Sequence, residues 1–308
     1  MKNGTIKVKF SNGFGNNMFQ YCFGRLLAEY HNLNFSHDAI PELNIKKEDY
    51  KFKKEWKTVK FKASSNREAK IYDRNHIQWF SDKYKKHNFD FYSFMFYFED
   101  YSLYTPHVDR IRKWFPEVKK TNYDDLVLHF RLKNRLVWET HYKNFIKPSS
   151  YRDMIKSNFK FKKLYIVTDM DIWKHVDEKY IKKLHNEVKI KYKSNPTKFI
   201  SLSKSIKYMN ELVDNLKEFK PILHNSKKFI DDFNFIRSFD QIMFKNSTFA
   251  WWASFLSNAS KVSPFKLWKP GKGKKKNRNL GKVDLLGWFG WGEMDDLLNK
   301  KAVINASS

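Results

Sequence analysis

Two periodicities alternate along the second half of the chain. Short apolar runs, "LVLHF" (126–130), "KLYIVTD" (163–169), "KPILHN" (220–225), "QIMF" (241–244) and "KVSPF" (261–265), read as strands. Helical patterns separate them: one opened by "KPSSYRDMI" with Pro148 as its punctuation, a charged one from Asp171 to His185, one through "IDDFNFIRS" (230–238), and one starting at Ser247-Thr248. In the last of these Phe249, Trp252 and Trp251, Phe255 supply a stripe of buried aromatics. Strands and helices taking turns predict a parallel α/β sheet whose ligands sit at the C-terminal ends of the strands. The N-terminus carries the pattern once more, with a strand over Thr5–Phe10, the glycine turn "SNGFGNN", and a helix from about Met18 to Tyr30. Residues 40–118 are aromatic and lysine-rich and yield only a mixed assignment.

Four of the expected strand ends carry chemistry. The first ends in glycines, where a backbone can come close to a ligand or simply turn tightly. "LHFRLKNR" sets His129 and Arg131 two apart, hence on one side, and Arg131 offers a planar fork suited to a diphosphate or to a salt bridge. "VTDMD" places Thr168, Asp169 and Asp171 just past a strand, as either a metal-binding pair or helix caps. The fourth is "FKNSTFAWW", where a strand turns through Ser247 and Thr248 into a helix and presents N–H donors and two hydroxyls together, the way α/β folds hold phosphate.

Composition narrows the class. At 308 residues, 41% of them hydrophobic, the chain suits two domains or one large α/β body. The single cysteine, Cys22, excludes an internal disulfide and favours a reducing compartment. No stretch approaches the roughly 18 apolar residues of a membrane span, so no membrane span and a cytoplasmic location are expected. A net charge of +27 raises nucleic acid as a partner, but the excess comes from 50 Lys against 10 Arg spread along the whole chain. Its densest run, "KPGKGKKKNRN" (269–279), is broken by glycines like a solvated loop. The charge fits an anionic small-molecule donor equally well, and no nucleic acid is expected.

The four segments together resemble a family. "GFGNNMFQYCFGRLLA" is similar to the Gly-x-Gly-Asn-Gln-Met-Phe-Gln-Tyr signature of α-1,2-fucosyltransferases, glycosyltransferase family 11. "HFRLKNR" resembles their His-x-Arg-Arg-Gly-Asp segment, "VTDMDIW" their (Ser/Thr)-Asp-Asp-x-x-Trp segment, and "NSTFAWW" their Asn-Ser-Thr-Phe-Ser-Trp-Trp. The order and spacing agree from residue 5 to about 265, with 40–118 outside the likeness. The resemblance implies a GT-B architecture of two Rossmann-like domains with parallel sheets facing a cleft. Residues 1–120 become an acceptor-side domain with the glycine loop, 121–270 a nucleotide-sugar domain, and 271–308 a C-terminal tail that can pack back on the first. It also implies a GDP-fucose donor, an acceptor oligosaccharide, inversion at the anomeric carbon, and neither cofactor nor metal.

Carried over position by position, Gly15, Asn16 and His129 serve the donor, Arg131 binds the diphosphate and stabilises the leaving GDP, and Asp169 supports the site by hydrogen bonding. Ser247, Thr248 and Phe249 contact the phosphates. Asp232, fifteen residues before Ser247, reads guanine, with Asp231 as the near alternative. For the base that activates the acceptor hydroxyl, Glu139, ten residues after His129, competes with His141. A dissociative route led by Arg131 with no strong base stays open. Departures bear on the sugar: Leu132 stands for the family's second Arg, Lys133-Asn134 for Gly-Asp, and Asn17 for Gln. Another GDP-hexose donor, a catalytically inactive sugar-binding relative, and a basic nucleic-acid-binding protein are the alternative readings.

Overall fold

The computed structural model describes residues 2, 4–11, 13–63, 69, 76–92, 96–99, 103–139, 145, 147–173, 177–193, 198–224, 226–245 and 247–264. The chain divides into two compact units, one containing Met1–Glu117 and the other Val118–Lys269.

In the first unit β1 (Thr5–Val8), β2 (Asn34–His37), β3 (Lys57–Phe61) and β4 (His87–Phe91) form one parallel sheet in the order β2-β1-β4-β3. The helix α1 (Phe14–His31) begins four residues before the expected Met18. Its N-cap, Gly13, has extended backbone with φ −94° and lets its carbonyl accept from Asn16 and Asn17 N–H at 2.9 and 3.1 Å. The left-handed Asn32 (φ 54°) ends it, and Leu33 N–H reaches back to the Ala28 carbonyl at 2.7 Å. Where α1 crosses β2, a Cβ on Gly24 would lie 2.3 Å from the Phe35 ring, so this contact requires glycine. Two further short α-helices, α2 (His76–Trp79) and α3 (Val108–Arg112), lie in the same unit. The interior is largely aromatic: Phe23 stacks on Phe98 at 3.7 Å and Phe61 on Phe91 at 4.3 Å, and Trp79 is fully buried.

The second unit holds β5 (Asn122–Phe130), β6 (Leu164–Thr168), β7 (Ile222–His224), β8 (Phe239–Phe244) and β9 (Lys261–Pro264), all parallel, in the order β7-β6-β5-β8-β9. Alternation along β5 sorts its side chains. Leu126, Leu128 and Phe130 join a cluster with α4 (Pro148–Asn158), α5 (Glu178–Lys191) and α6 (Leu202–Leu216). His129 faces the other way, toward α8 (Thr248–Leu256), which packs with α7 (Phe229–Arg237).

Two helices of the second unit differ from the sequence expectation. α5 starts at Glu178, not Asp171, because Asp171 Oδ1 accepts from Trp173 N–H at 3.0 Å in a local turn while Asp177 caps the helix through Lys179 N–H at 2.9 Å. α6 had no sequence assignment, yet Ser201 caps it and Ser205, Tyr208, Met209, Leu212 and Leu216 make a regular buried stripe.

Candidate active site

The C-terminal ends of β5, β6 and β8 lie side by side, because β5 pairs with both of the others: His129 lies opposite Val167 on β6 and Phe244 on β8. One step beyond the strands, the same register brings Arg131 to Asp169. Asp169 Oδ1 accepts from Leu132 N–H at 2.8 Å, and its Oδ2 is 3.5 Å from Arg131 Nε. One carboxylate thus bonds the chain and pairs with the guanidinium, while the Arg131 side chain stays 56% exposed. That is a positioned, solvent-facing fork. Asp171, the other member of the candidate metal pair, is occupied by the turn at Trp173.

His129 is 7% exposed, and its ring lies 5.7 Å from that of Phe249. Burial, then the charges of Arg135 and Arg131, push it down to about 3, so it is a neutral imidazole at any working pH. Its Nδ1 is buried without a hydrogen-bond partner among the described residues, as is Thr168 Oγ1 on the neighbouring strand.

The turn from β8 into α8 works as a cap. Ser247, 5% exposed, accepts from Ala250 N–H at 3.4 Å, and its carbonyl receives Trp251 N–H at 2.9 Å. Ala250 to Leu256 are all buried, so the helix is enclosed on every side rather than along one stripe, and Thr248 and Phe249 at its start are the half-buried positions. Trp251 stacks on Phe255 at 4.9 Å.

Asp232 stands on the first turn of α7. Its Oδ1 accepts from Ser226 Oγ at 2.7 Å and lies 3.3 Å from His224 Nε2, whose ring is stacked flat on Phe235 at 3.6 Å. The next residue, Phe233, meets Phe249 at 5.2 Å, which joins the Asp232 turn to the start of α8. Asp231, the alternative, is exposed.

Glu139 follows the 3-10 turn Lys133–Leu136 and is half-buried; its N–H donates to the Lys198 carbonyl at 2.8 Å. His141 lies outside the described residues. Gly15, buried, and Asn16, half-buried, occupy the first turn of α1 in the first unit. The structure therefore brings together His129, Arg131, Asp169, Ser247, Thr248 and Phe249, with Asp232 one aromatic contact away.

Two cations at these strand ends went unnoticed in the sequence. Arg135 is half-buried in the 3-10 turn, and burial followed by Arg131 lowers it to about 10. Lys245, 6% exposed, sits one residue past β8, with its N–H on the His129 carbonyl at 3.1 Å. Burial, then Arg135, brings it down to about 7. In a chain with 50 lysines nothing marks one as buried, except that Lys245 directly follows a strand of the apolar core.

Residues 164–277 match the family model for glycosyl transferase family 11. The match takes in Asp169, Asp232 and the Ser247–Phe249 turn, and over that stretch the chain is family 11-like. No curated protein and no solved structure matches the chain.

Proposed function

We propose that the protein is an inverting glycosyltransferase that moves fucose from GDP-fucose to a hydroxyl of an acceptor glycan without a metal. The observation that carries this reading is the Asp169-clamped Arg131 beside the capped start of α8, at the ends of three adjacent parallel strands. A helix start supplies N–H groups and the positive end of its dipole, and a fixed guanidinium supplies full charge. Together they suit a diphosphate.

In this reading Arg131 stabilises the negative charge that develops on GDP as the glycosidic bond to phosphate breaks. Thr248 and Phe249 hold the phosphates from the helix start, and Ser247 keeps that start in shape. Asp232 accepts from the guanine N–H groups. His129, being neutral, contributes a hydrogen bond rather than a charge. The acceptor hydroxyl attacks from the opposite face of the sugar and loses its proton to Glu139 or His141, which gives inversion.

Leu132 favours a second reading for the sugar. It is 2% exposed and belongs to the core, so it cannot touch the donor as an arginine there would. A GDP-hexose other than fucose is the donor in that version. The nucleic-acid reading is disfavoured because Phe19, Phe23, Trp79, Trp251 and Trp252 are buried rather than offered for stacking.

The test is a glycan array incubated with labelled GDP-fucose or GDP-mannose in EDTA. Transfer of fucose under chelation supports the proposal. Loss of transfer on chelation, restored by manganese, would overturn its metal-independent part, and transfer of mannose alone would establish the second version.

A further inference from the structure

The way Asp232 is held goes beyond what a helix start needs. β7 runs parallel to β6 with His224 opposite Val167, so its end stands beside that of β6 and extends the row of strand ends from β8 and β5. The chain leaves β7 at His224 and enters α7 at Phe229, and Ser226 ties the two together. Its Oγ lies 2.6 Å from the Lys228 carbonyl and 2.7 Å from Asp232 Oδ1, and its N–H donates to the same Oδ1 at 3.4 Å. The Lys228 carbonyl also accepts from Asp231 N–H at 3.0 Å, while the Lys228 side chain supplies no cap.

All of these contacts fall on one oxygen. His224 Nε2, which is buried, stands 3.3 Å from Oδ1 as well, with its ring stacked flat on Phe235. Oδ2 has no partner among the described residues, and the Asp232 side chain keeps 21% of its surface exposed. The terminal torsion of a free aspartate is broad. Two bonds to Oδ1 narrow it, and Oδ2 is then presented in one direction.

Resting on the reading of Asp232 as the acceptor for guanine, we infer that Ser226 sets the base selectivity of the donor site: by holding Oδ1 it turns Oδ2 toward the base as a fixed acceptor. An ionised carboxylate only accepts. Guanine brings it two adjacent donors, N1–H and the N2 amino group. Adenine brings one amino group beside a ring-nitrogen lone pair, which a fixed carboxylate oxygen repels. A carboxylate free to turn can avoid that lone pair, and so discriminates less. Phe233 meets Phe249 at 5.2 Å and Phe249 meets His129 at 5.7 Å, which links the Asp232 turn to the strand that leads into Arg131. Base and diphosphate then fall along one edge of the same sheet.

Ser226 acts through Asp232 and is a positioning residue, so its test compares nucleotides rather than stability. Calorimetric titration with GDP and with ADP is expected to show Ser226→Ala binding GDP about tenfold more weakly, as the loss of a hydrogen bond to a charged group implies, with ADP affinity unchanged. The preference for GDP falls by the same factor. Ser226→Thr, which keeps the hydroxyl, restores it, and Ser226→Cys is held to the same comparison if the alanine variant fails to fold. Asp232→Ala loses the preference outright, and adding Ser226→Ala to it has no further effect. In turnover of GDP-fucose, Ser226→Ala raises KM and leaves kcat, because the base is remote from the bond that breaks. Unchanged GDP affinity in Ser226→Ala, equal weakening of GDP and ADP, or the same loss on the Asp232→Ala background would overturn the inference and leave the serine a loop tie. If Asp232→Ala keeps the parent's preference for GDP over ADP, the guanine reading itself has failed and the inference with it, a result separate from a failure at Ser226 alone.

Discussion

The two parallel sheets are built on different chemistry. The four-stranded sheet of the first unit is packed by rings, with Phe23, Phe61, Trp79, Phe91 and Phe98 in mutual contact. The five-stranded sheet of the second is packed on its α4–α6 face largely by aliphatic side chains such as Leu126, Leu128, Ile166, Leu184 and Leu212. One buried polar group from each shows a further difference. Asn88, fully buried in the first sheet, accepts from Thr5 N–H at 3.0 Å and donates to the Lys53 and Trp56 carbonyls at 2.8 and 3.2 Å. Its bonds tie strand to loop, and they are structural. His129, in the second, has an Nδ1 without a partner among the described residues and lies in the field of Arg135 and Arg131. A buried polar group satisfied by the chain holds a fold together, and one left unsatisfied near charge points to a ligand.

The largest expected effect belongs to the aromatic interior. Phe91→Ala, at a ring 1% exposed, should cost about 3–5 kcal/mol of stability, read as a drop in melting temperature, while the GDP affinity of the folded protein stays as it was. A comparable loss of GDP affinity would erase the division of labour between the sheets. Arg131→Ala should do the reverse. It removes about 2–4 kcal/mol from transfer and GDP binding with little change in melting, since the side chain is more than half exposed. Near-normal turnover would remove Arg131 from the diphosphate.

The same comparison explains what the sequence disclosed. The runs "LVLHF" and "QIMF" announce β5 and β8 because every position there except His129 and the leading Gln241 is apolar. By contrast "KTVKF" and "HNFDF", which are β3 and β4, look like loop: lysines interrupt the first, and Asn88 occupies a core position in the second. A local pattern cannot anticipate an asparagine whose partners are 30 to 83 residues away. At the site, Arg131, Asp169 and the Ser247 turn were visible as strand-end residues with the right chemistry. Lys245 and Arg135 were hidden among other basic residues, and only burial and register single them out.

His129 sharpens the contrast through pH. Its folded value near 3 lies below the ordinary 6.5, so below 6.5 the unfolded chain gains a proton that the folded one refuses. Stability contributed by this residue is whole above about 6.5 and declines as pH falls toward 3, by up to about 1.4 kcal/mol per pH unit. Denaturant titrations from pH 7 to 4 should show that slope in the parent and a shallower one in His129→Gln; equal slopes would mean that the imidazole is not held neutral.

The smallest effect concerns the cap. Ser247→Ala with Thr248→Ala should lose about 0.5–2 kcal/mol of stability, whereas Trp251→Ala, in the same helix, loses about 3–5. GDP affinity should fall in the double hydroxyl variant by more than the cap accounts for. If it binds GDP as tightly as the parent, the turn is a helix cap alone.

The central claim is that the ends of β5, β6 and β8 receive the donor's diphosphate. Hydrogen–deuterium exchange of the whole chain with and without saturating GDP tests it most directly. The account predicts slowed exchange at the amides of 131–136, 169–173 and 247–250, and the loss of that protection in Arg131→Ala. Bound GDP that leaves these three segments unprotected, with protection confined to Met1–Glu117, would contradict it.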